Sequence, residues 1–533
     1  MARFQDMYDH LQGLIAAELW REALLHLRRA AQDVGSRGEA RELRAVVECL
    51  PAGLELVEEW PVAVSWVAYR TADFDLLERA LSGVPGQLPA FEAFRASRRE
   101  DWPEVLRWAE AAGSSSGREA VVAGRFRACA LAELRRDGWE DAYRHAVGLA
   151  SGRDRGLLWS EFAHYLSSGG QEAVAREAYA QAIGELRRDA WWVTLTYANL
   201  GITCLRLGVL AEAERAFRAA EQYGREGDGV VHLSTVWRGL GGLALHRGQL
   251  ARAEHAFAMS LRKAASAAER LAAQRGLARV YRMQGRFDEA MTELHDALRE
   301  AHLQGEPHPF HADLAALEVL VGDVEGARQR LRMVTPFSSD DTWRVRVVEA
   351  ELTRREGTGD PVAGLRDLQL DRTWAQEEAL VFPEVFALMD VRAVRPVWTA
   401  RLDADGPLRL SMSGEPVALR PARASASLLA FLVHHRGKVT AERALEALEL
   451  PGKDVRARKK ALSKVVGELR EVLGWPDAVR TVDGLLCLSD DVIWADLHLP
   501  PPERADLFCE GLVDPWIEEW KVEHDRRILP AFD

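Results

Sequence analysis

The sequence predicts a mainly α protein: paired helices over residues 1–395, a small α+β domain over 400–499 and a short helical tail over 500–533. Three observations predict it. A ladder of small and large residues recurs in steps of 37–40 positions through the first three quarters of the chain. The helical period breaks near residue 400, where strand-like alternation begins. Beyond that break, four of the seven lysines in 533 residues fall within twelve positions, Lys453, Lys459, Lys460 and Lys464.

The repeat organises most of the chain. One copy runs Tyr197, Leu200, Gly201, Cys204, Gly208, Leu210, Ala213, Phe217, Ala220. The next runs Trp237, Leu240, Gly241, Ala244, Gly248, Leu250, Ala253, Phe257, and a third Leu277, Ala278, Tyr281, Gly285, Phe287, Ala290, Leu294. A fourth is Leu314, Ala315, Gly322, Val324, Ala327, Leu331, and an upstream one begins at Trp159, Phe162 and Ala163. Each unit reads as helix, tight turn at the glycine, helix. Weaker units are expected around Trp20, Phe74, Trp102 and Trp139, and Trp343 to Leu388 is expected to continue the stack. Small residues let two helices approach closely, and the large ones fill the space between them.

These residues resemble the tetratricopeptide repeat. The resemblance implies a superhelix whose concave face is lined by the first helix of each unit. Its usual groove positions fall here on Arg206, Arg238, His246, Arg275, Arg279 and Arg282. Such a stripe could hold an acidic peptide or a chain-end carboxylate. The competing reading is that these arginines are solvated or paired with nearby glutamates.

After residue 400, Pro407 to Met412 alternates like a strand, Ser413-Gly414-Glu415 reads as a turn, and Val417 to Leu419 as the returning strand. A helix is predicted over Ser425–His435, stopping at Gly437. Thr440 can cap a short helix through Leu448, and Asp454 a third helix through Leu473, ended by Gly474. Asp483-Gly484 between Val479–Val482 and Leu485–Leu488 is a hairpin signal. On the third helix, Val455, Leu462, Val466, Leu469 and Leu473 share one side at about 100° per residue and are expected in the core. The opposite side presents Arg456, Lys460, Ser463, Lys464 and Gly467. Arg458 points toward the core edge, and Glu468 and Glu471 lie on or near the exposed face.

This order of strand pair, three helices and hairpin resembles the OmpR/PhoB-type winged helix, in the version found in bacterial transcriptional activators of the antibiotic-regulator (SARP) kind. The resemblance rests on Leu410, Gly414, Pro416-Val417, Leu428-Leu429-Ala430, His435-Arg436-Gly437, Val439-Thr440, Ala461-Leu462, Leu473-Gly474 and Arg480-Thr481-Val482. It implies that the third helix enters the major groove of duplex DNA, that Lys460, Ser463 and Lys464 contact bases or phosphates, and that Arg480 and Thr481 contact the DNA backbone. It also implies a dimer on direct repeats. Phe508, Gly511-Leu512, Trp516 and Arg526 are similar to the opening of the helical activator domain that follows the winged helix in that family, here cut off at Asp533. In the family the repeats mostly follow the winged helix; here they precede it.

Charge agrees with a confined nucleic-acid surface. The chain is at −13, and Lys453–Lys464 with Arg456, Arg458 and Asp454 contributes about +5, so the rest stands near −18. A DNA contact must therefore be local. No run of eighteen apolar residues predicts a membrane helix, no signal peptide is read at Met1–Asp6, and no membrane partner is expected. Cys49, Cys129, Cys204, Cys487 and Cys509 are scattered, which predicts a reducing, cytoplasmic setting without disulfides or zinc. No phosphate loop, His-Glu-x-x-His or Gly-x-Ser-x-Gly is present, so neither an enzyme nor a cofactor is expected. His302, His308 and His311 read as a polar connection between repeats. The function expected is a transcription regulator whose repeats bind a protein or acidic peptide and whose C-terminal domain binds DNA; the alternative is a scaffold binding proteins through both parts.

Overall fold

The computed structural model describes residues 2–225, 227–304, 310–336, 339–370, 372–392, 398–420, 423–495 and 508–528. His308 lies outside these, as do 393–397 and 496–507 at the expected domain boundaries. The chain divides into two compact units, Met1–Gly239 and Leu240–Asp533.

The first unit is all helical. It holds α1 (Ala2–Ala16), α2 (Trp20–Asp33), α3 (Arg37–Glu48), α4 (Trp60–Thr71), α5 (Phe74–Leu81), α6 (Pro89–Ser97), α7 (Trp102–Ala111), α8 (Arg118–Glu133), α9 (Trp139–Leu149), α10 (Gly152–Ser168), α11 (Glu172–Leu186), α12 (Ala190–Arg206) and α13 (Leu210–Gly224). The division falls within α14 (Leu233–His246). From α4 on, successive helices pack as pairs, α4 with α5 through α12 with α13. Trp20, Phe74, Trp102 and Trp139 each open the second helix of a pair. Neighbouring pairs are joined at a constant separation of 36 residues. Arg153 Nε reaches Asp189 Oδ2 at 2.8 Å, Ser160 Oγ meets Thr196 Oγ1 at 3.0 Å, and Ser167 Oγ meets Thr203 Oγ1 at 3.1 Å. Helix α3, which interrupts the pairing and packs on α4, was not legible in the repeat pattern.

The second unit continues with α15 (Leu250–Lys263), α16 (Ala267–Gln284), α17 (Phe287–Gln304), α18 (His311–Val321), α19 (Val324–Leu331), α20 (Ser339–Glu356), α21 (Ala363–Arg366), α22 (Arg372–Val381) and α23 (Pro383–Ala387). Trp374 and Ala379 of α22, Phe382 between the two helices and Phe386 of α23 share one core with Ala315, Val319 and Val347. Gly208, Gly248, Gly285 and Gly322, predicted as turns, take φ of 72°, 67°, 78° and 93°, a region in which a Cβ is penalised.

One packing rule sets the approach of neighbouring pairs. Phe217 is wedged between Gly201 and Gly239, and Phe257 between Gly241 and Gly276. A Cβ at Gly201 would stand 2.5 Å from the Phe217 ring, and one at Gly241 2.9 Å from the Phe257 ring. Gly276→Ala improves helix propensity by about 1 kcal/mol, yet overpacking costs about 1–3 kcal/mol. The variant is therefore expected to lower the midpoint of denaturant unfolding; a raised midpoint would refute the wedge.

The C-terminal part of this unit is α+β. It contains β1 (Thr399–Asp403), β2 (Arg409–Met412), β3 (Glu415–Val417), α24 (Ala424–His434), β4 (Lys438–Thr440), α25 (Ala441–Ala447), α26 (Val455–Leu473), β5 (Val479–Val482), β6 (Leu485–Leu488), β7 (Ile493–Ala495) and α27 (Pro515–Ile528). One sheet has the order β3-β2-β1-β7, with β1 and β7 parallel, and the other β4-β6-β5. The strands β1, β4 and β7 were not anticipated. Thr440 and Asp454 cap α25 and α26 by accepting from the amides of Arg443 (3.1 Å) and Ala457 (2.8 Å). Asp483 and Gly484 both have positive φ, as the hairpin turn requires.

One expectation is corrected. Val455 is 65% exposed, because the first turn of α26 projects beyond the core that holds Leu462, Val466, Leu469 and Leu473. The described part of the tail packs on the α+β domain. Phe508, Cys509, Leu512, Trp516 and Ile517 belong to the same core as α24 and α26. Trp516 Nε1 donates to Ser427 Oγ at 3.2 Å, and the Glu449 amide donates to Asp514 Oδ1 at 2.8 Å.

Candidate functional site

Helix α26 is amphipathic, and its core stripe fixes which residues face outward. Leu462, Val465, Val466, Leu469 and Leu473 are buried, while Arg456, Lys460, Ser463 and Lys464 are exposed, together with Lys453 and Lys459. Ser463 Oγ donates to the Lys459 carbonyl at 3.1 Å, which leaves its oxygen able to accept. Gly467 has open space where a Cβ would stand. Arg458 is used internally: its guanidinium donates to the Leu445 carbonyl and ties α26 to α25.

The hairpin is tied to the same helix. Arg470 Nε and Nη2 donate to the Val479 carbonyl at 2.9 and 2.7 Å. This holds the start of β5 on α26, and the next two residues, Arg480 and Thr481, are exposed. All six residues expected to touch DNA are thus exposed on one helix and the strand bonded to it. Acids temper the face. Lys464 Nζ lies 3.9 Å from Glu468 Oε1, and Arg480 Nη2 lies 3.8 Å from Asp490 Oδ2.

The expected groove residues fare differently. Arg206 Nη1 donates to the Ser167 carbonyl at 3.2 Å, and Arg238 and His246 are half-buried on α14. Arg275, Arg279 and Arg282 come together on α16, but they do not form an open cationic stripe. Arg275 pairs with Asp313 (2.8 Å) and Asp341, Arg279 with Glu377, and Arg282 with Glu378. Arg344 on α20 completes the set, reaching Asp313 at 2.8 Å and Glu378 at 2.9 Å. Four arginines meet four carboxylates, an arrangement that matches the paired reading of these residues rather than an open cationic stripe.

Burial pushes the Asp313 carboxyl up, but Arg275, Arg344 and Arg282 outweigh it and hold the group below its ordinary range. Burial likewise opposes ionisation of Glu378, and Arg282, Arg344 and Arg279 again prevail. Only the arginines of α16 stood out in the sequence. Arg344 and the acids come from helices 30 to 100 residues away, and the adjacent acid pairs Asp340-Asp341 and Glu377-Glu378 are the only local signals of them.

A similar motif closes the inside of the first unit. Buried Arg70 on α4 pairs with Asp154 on α10, Arg118 on α8 with Asp33 on α2, and Arg28 on α2 with Glu119 on α8. The Arg37 guanidinium lies 3.8 Å over the ring of Trp191.

Among the described residues, no helix is long and apolar enough to cross a membrane, and no group of three His, Cys, Asp or Glu side chains is placed to hold a metal ion. Neither described protein families nor curated proteins match the chain. Solved structures do. The hetero-tetramer of the anaphase-promoting complex proteins Cut9 and Hcn1 aligns at 16% identity over 61% of this chain and 63% of that one, with a TM-score of 0.43. The chain thus spans less than two thirds of that protein. A Rap protein complexed with competence and sporulation factor aligns at 14% identity, over 67% of this chain and 100% of that one, with a TM-score of 0.37. The human IFIT1 dimer with m7Gppp-AAAA aligns at 15% identity, over 71% and 87%, with a TM-score of 0.40.

Proposed function

We propose that the protein is a DNA-binding transcription regulator of the cytoplasm. Its C-terminal α+β part acts as a winged helix, and its helical repeats serve as a scaffold for a protein partner. One observation carries the reading: Arg456, Lys460, Ser463 and Lys464 line the exposed face of α26, while Arg480 and Thr481 are exposed on the strand that Arg470 bonds to it. A cationic helix face beside a hairpin suits phosphate contact, with the helix in the major groove. Lysines are point charges, so the reading predicts strong phosphate affinity and modest base discrimination. A homodimer on direct repeats belongs to the same proposal.

The second reading, a scaffold whose C-terminal part binds protein rather than DNA, is favoured by Glu468 beside Lys464 and by the exposed Asp483 at the hairpin tip. Fluorescence anisotropy of the full chain on a 30-bp labelled duplex across a salt series separates the two. Four phosphate contacts, from Arg456, Lys460, Lys464 and Arg480, predict a slope of log K against log salt of about −3.6. No binding at 20 mM salt would refute DNA recognition.

A further inference from the structure

We propose that Arg252, on a repeat helix, is a positioning residue for DNA binding: it holds the C-terminal end of α26 against the array. The inference rests on the DNA-binding reading and adds to it a physical link between the scaffold and the reading helix.

The link is built from four consecutive features. Gly474 ends α26 with φ of 97°, and its amide donates to the Arg470 carbonyl at 2.8 Å. The place its Cβ would occupy is filled from outside. Arg252 Nε stands 2.7 Å and Cζ 3.2 Å from that point, so the guanidinium lies directly on the helix terminus. Beside it, Ala251 packs against the C-terminal core. The guanidinium is aimed by a buried side chain, since Arg252 Nη1 donates to Oε1 of Gln249, which is 1% exposed.

The chemistry of the contact suits its place. The last carbonyls of a helix have no intrahelical partner and carry the negative end of its dipole, so a cation is favoured there. Basic residues fill the opposite end of α26, whose first turn holds Arg456 and Arg458. Arg252 therefore anchors the end of the reading helix remote from the lysine block. One turn inside that anchored end, Arg470 bonds Val479, next to Arg480 and Thr481. A path of contacts thus runs from Gln249 through Arg252 and the α26 terminus to the hairpin. A partner that shifts the start of α15 would move the helix and hairpin together, without touching DNA.

The test uses the full chain, the labelled 30-bp duplex and two readouts. In Arg252→Ala, amide exchange without DNA should quicken about tenfold over residues 470–482. The Kd for duplex should rise about fivefold. The salt slope should not change, because Arg252 contacts no phosphate. Arg252→Lys, which keeps the charge at the helix end, should recover most of the affinity. Wild-type exchange in Arg252→Ala would overturn the link, and faster exchange with wild-type Kd would overturn the positioning role. A slope reduced by about one would show a direct phosphate contact instead. If the wild type fails to bind duplex, the DNA reading falls, while the exchange result still decides whether the link exists.

Discussion

Replacing Arg344 by methionine is expected to destabilise the second unit by about 3–5 kcal/mol in denaturant titration. Arg344 is 4% exposed and serves both Asp313 and Glu378, so its loss leaves two buried carboxylates short of a partner. Methionine fills much of the volume, which confines the effect to charge. Exposed pairs such as Arg366 with Asp360 are expected to contribute at most about 1 kcal/mol. Acid should expose the same cluster. Asp313 and Glu378 titrate in the folded state below their ordinary values of 3.8 and 4.5. Their contribution is then fully present above about pH 5 and is lost as pH falls through the depressed folded values, where the unfolded chain binds more protons. In Arg344→Met the folded carboxyls lie closer to their unfolded values, so stability should fall less steeply between pH 5 and 2. An equal acid slope in both proteins would remove the cluster as the cause.

Reversing two charges on α26 should have the largest effect on function. On the proposed DNA-binding reading, Lys460→Glu with Lys464→Glu removes two phosphate contacts and puts two repulsions in their place. The salt slope should flatten by about two, and affinity at 50 mM salt should fall about 100-fold or more. Both side chains are exposed, Lys464 to 81%, so folding stability should change by no more than about 0.5 kcal/mol. Unchanged binding by a folded double variant would exclude this face as the DNA surface.

Much of the fold was legible because its signals are local. The glycine turns, the Thr440 and Asp454 caps, the Asp483-Gly484 hairpin and the apolar stripe of α26 each depend on residues within a few positions of one another. The outward set on α26 was legible for the same reason, since a helix stripe determines its complement. What failed depends on distance along the chain. Strands β1, β4 and β7 are three to five residues long and are stabilised by partners elsewhere, as where Thr399 pairs with Ile493. The acids that pair with the arginines of α16 could not be picked out, because Glu377 and Glu378 lie 96–98 residues on. The core contacts of the tail are equally distant in sequence, with Ser427 and Glu449.

The charge pairs inside each unit bear on how the protein comes apart. A stack in which every hairpin touches only its neighbours unzips from its ends, and its terminal repeats fray. Here Arg70 and Asp154 are 84 residues apart, Arg28 and Glu119 are 91 apart, and Arg279 and Glu377 are 98 apart. Such pairs form only after a long loop has closed, so they raise contact order and slow folding. Once formed, they make hairpins that are distant in sequence depend on one another. Each unit is therefore expected to melt as a block, with few partly unzipped forms. A mechanical pull on the chain would meet two discrete ruptures rather than a gradual peeling.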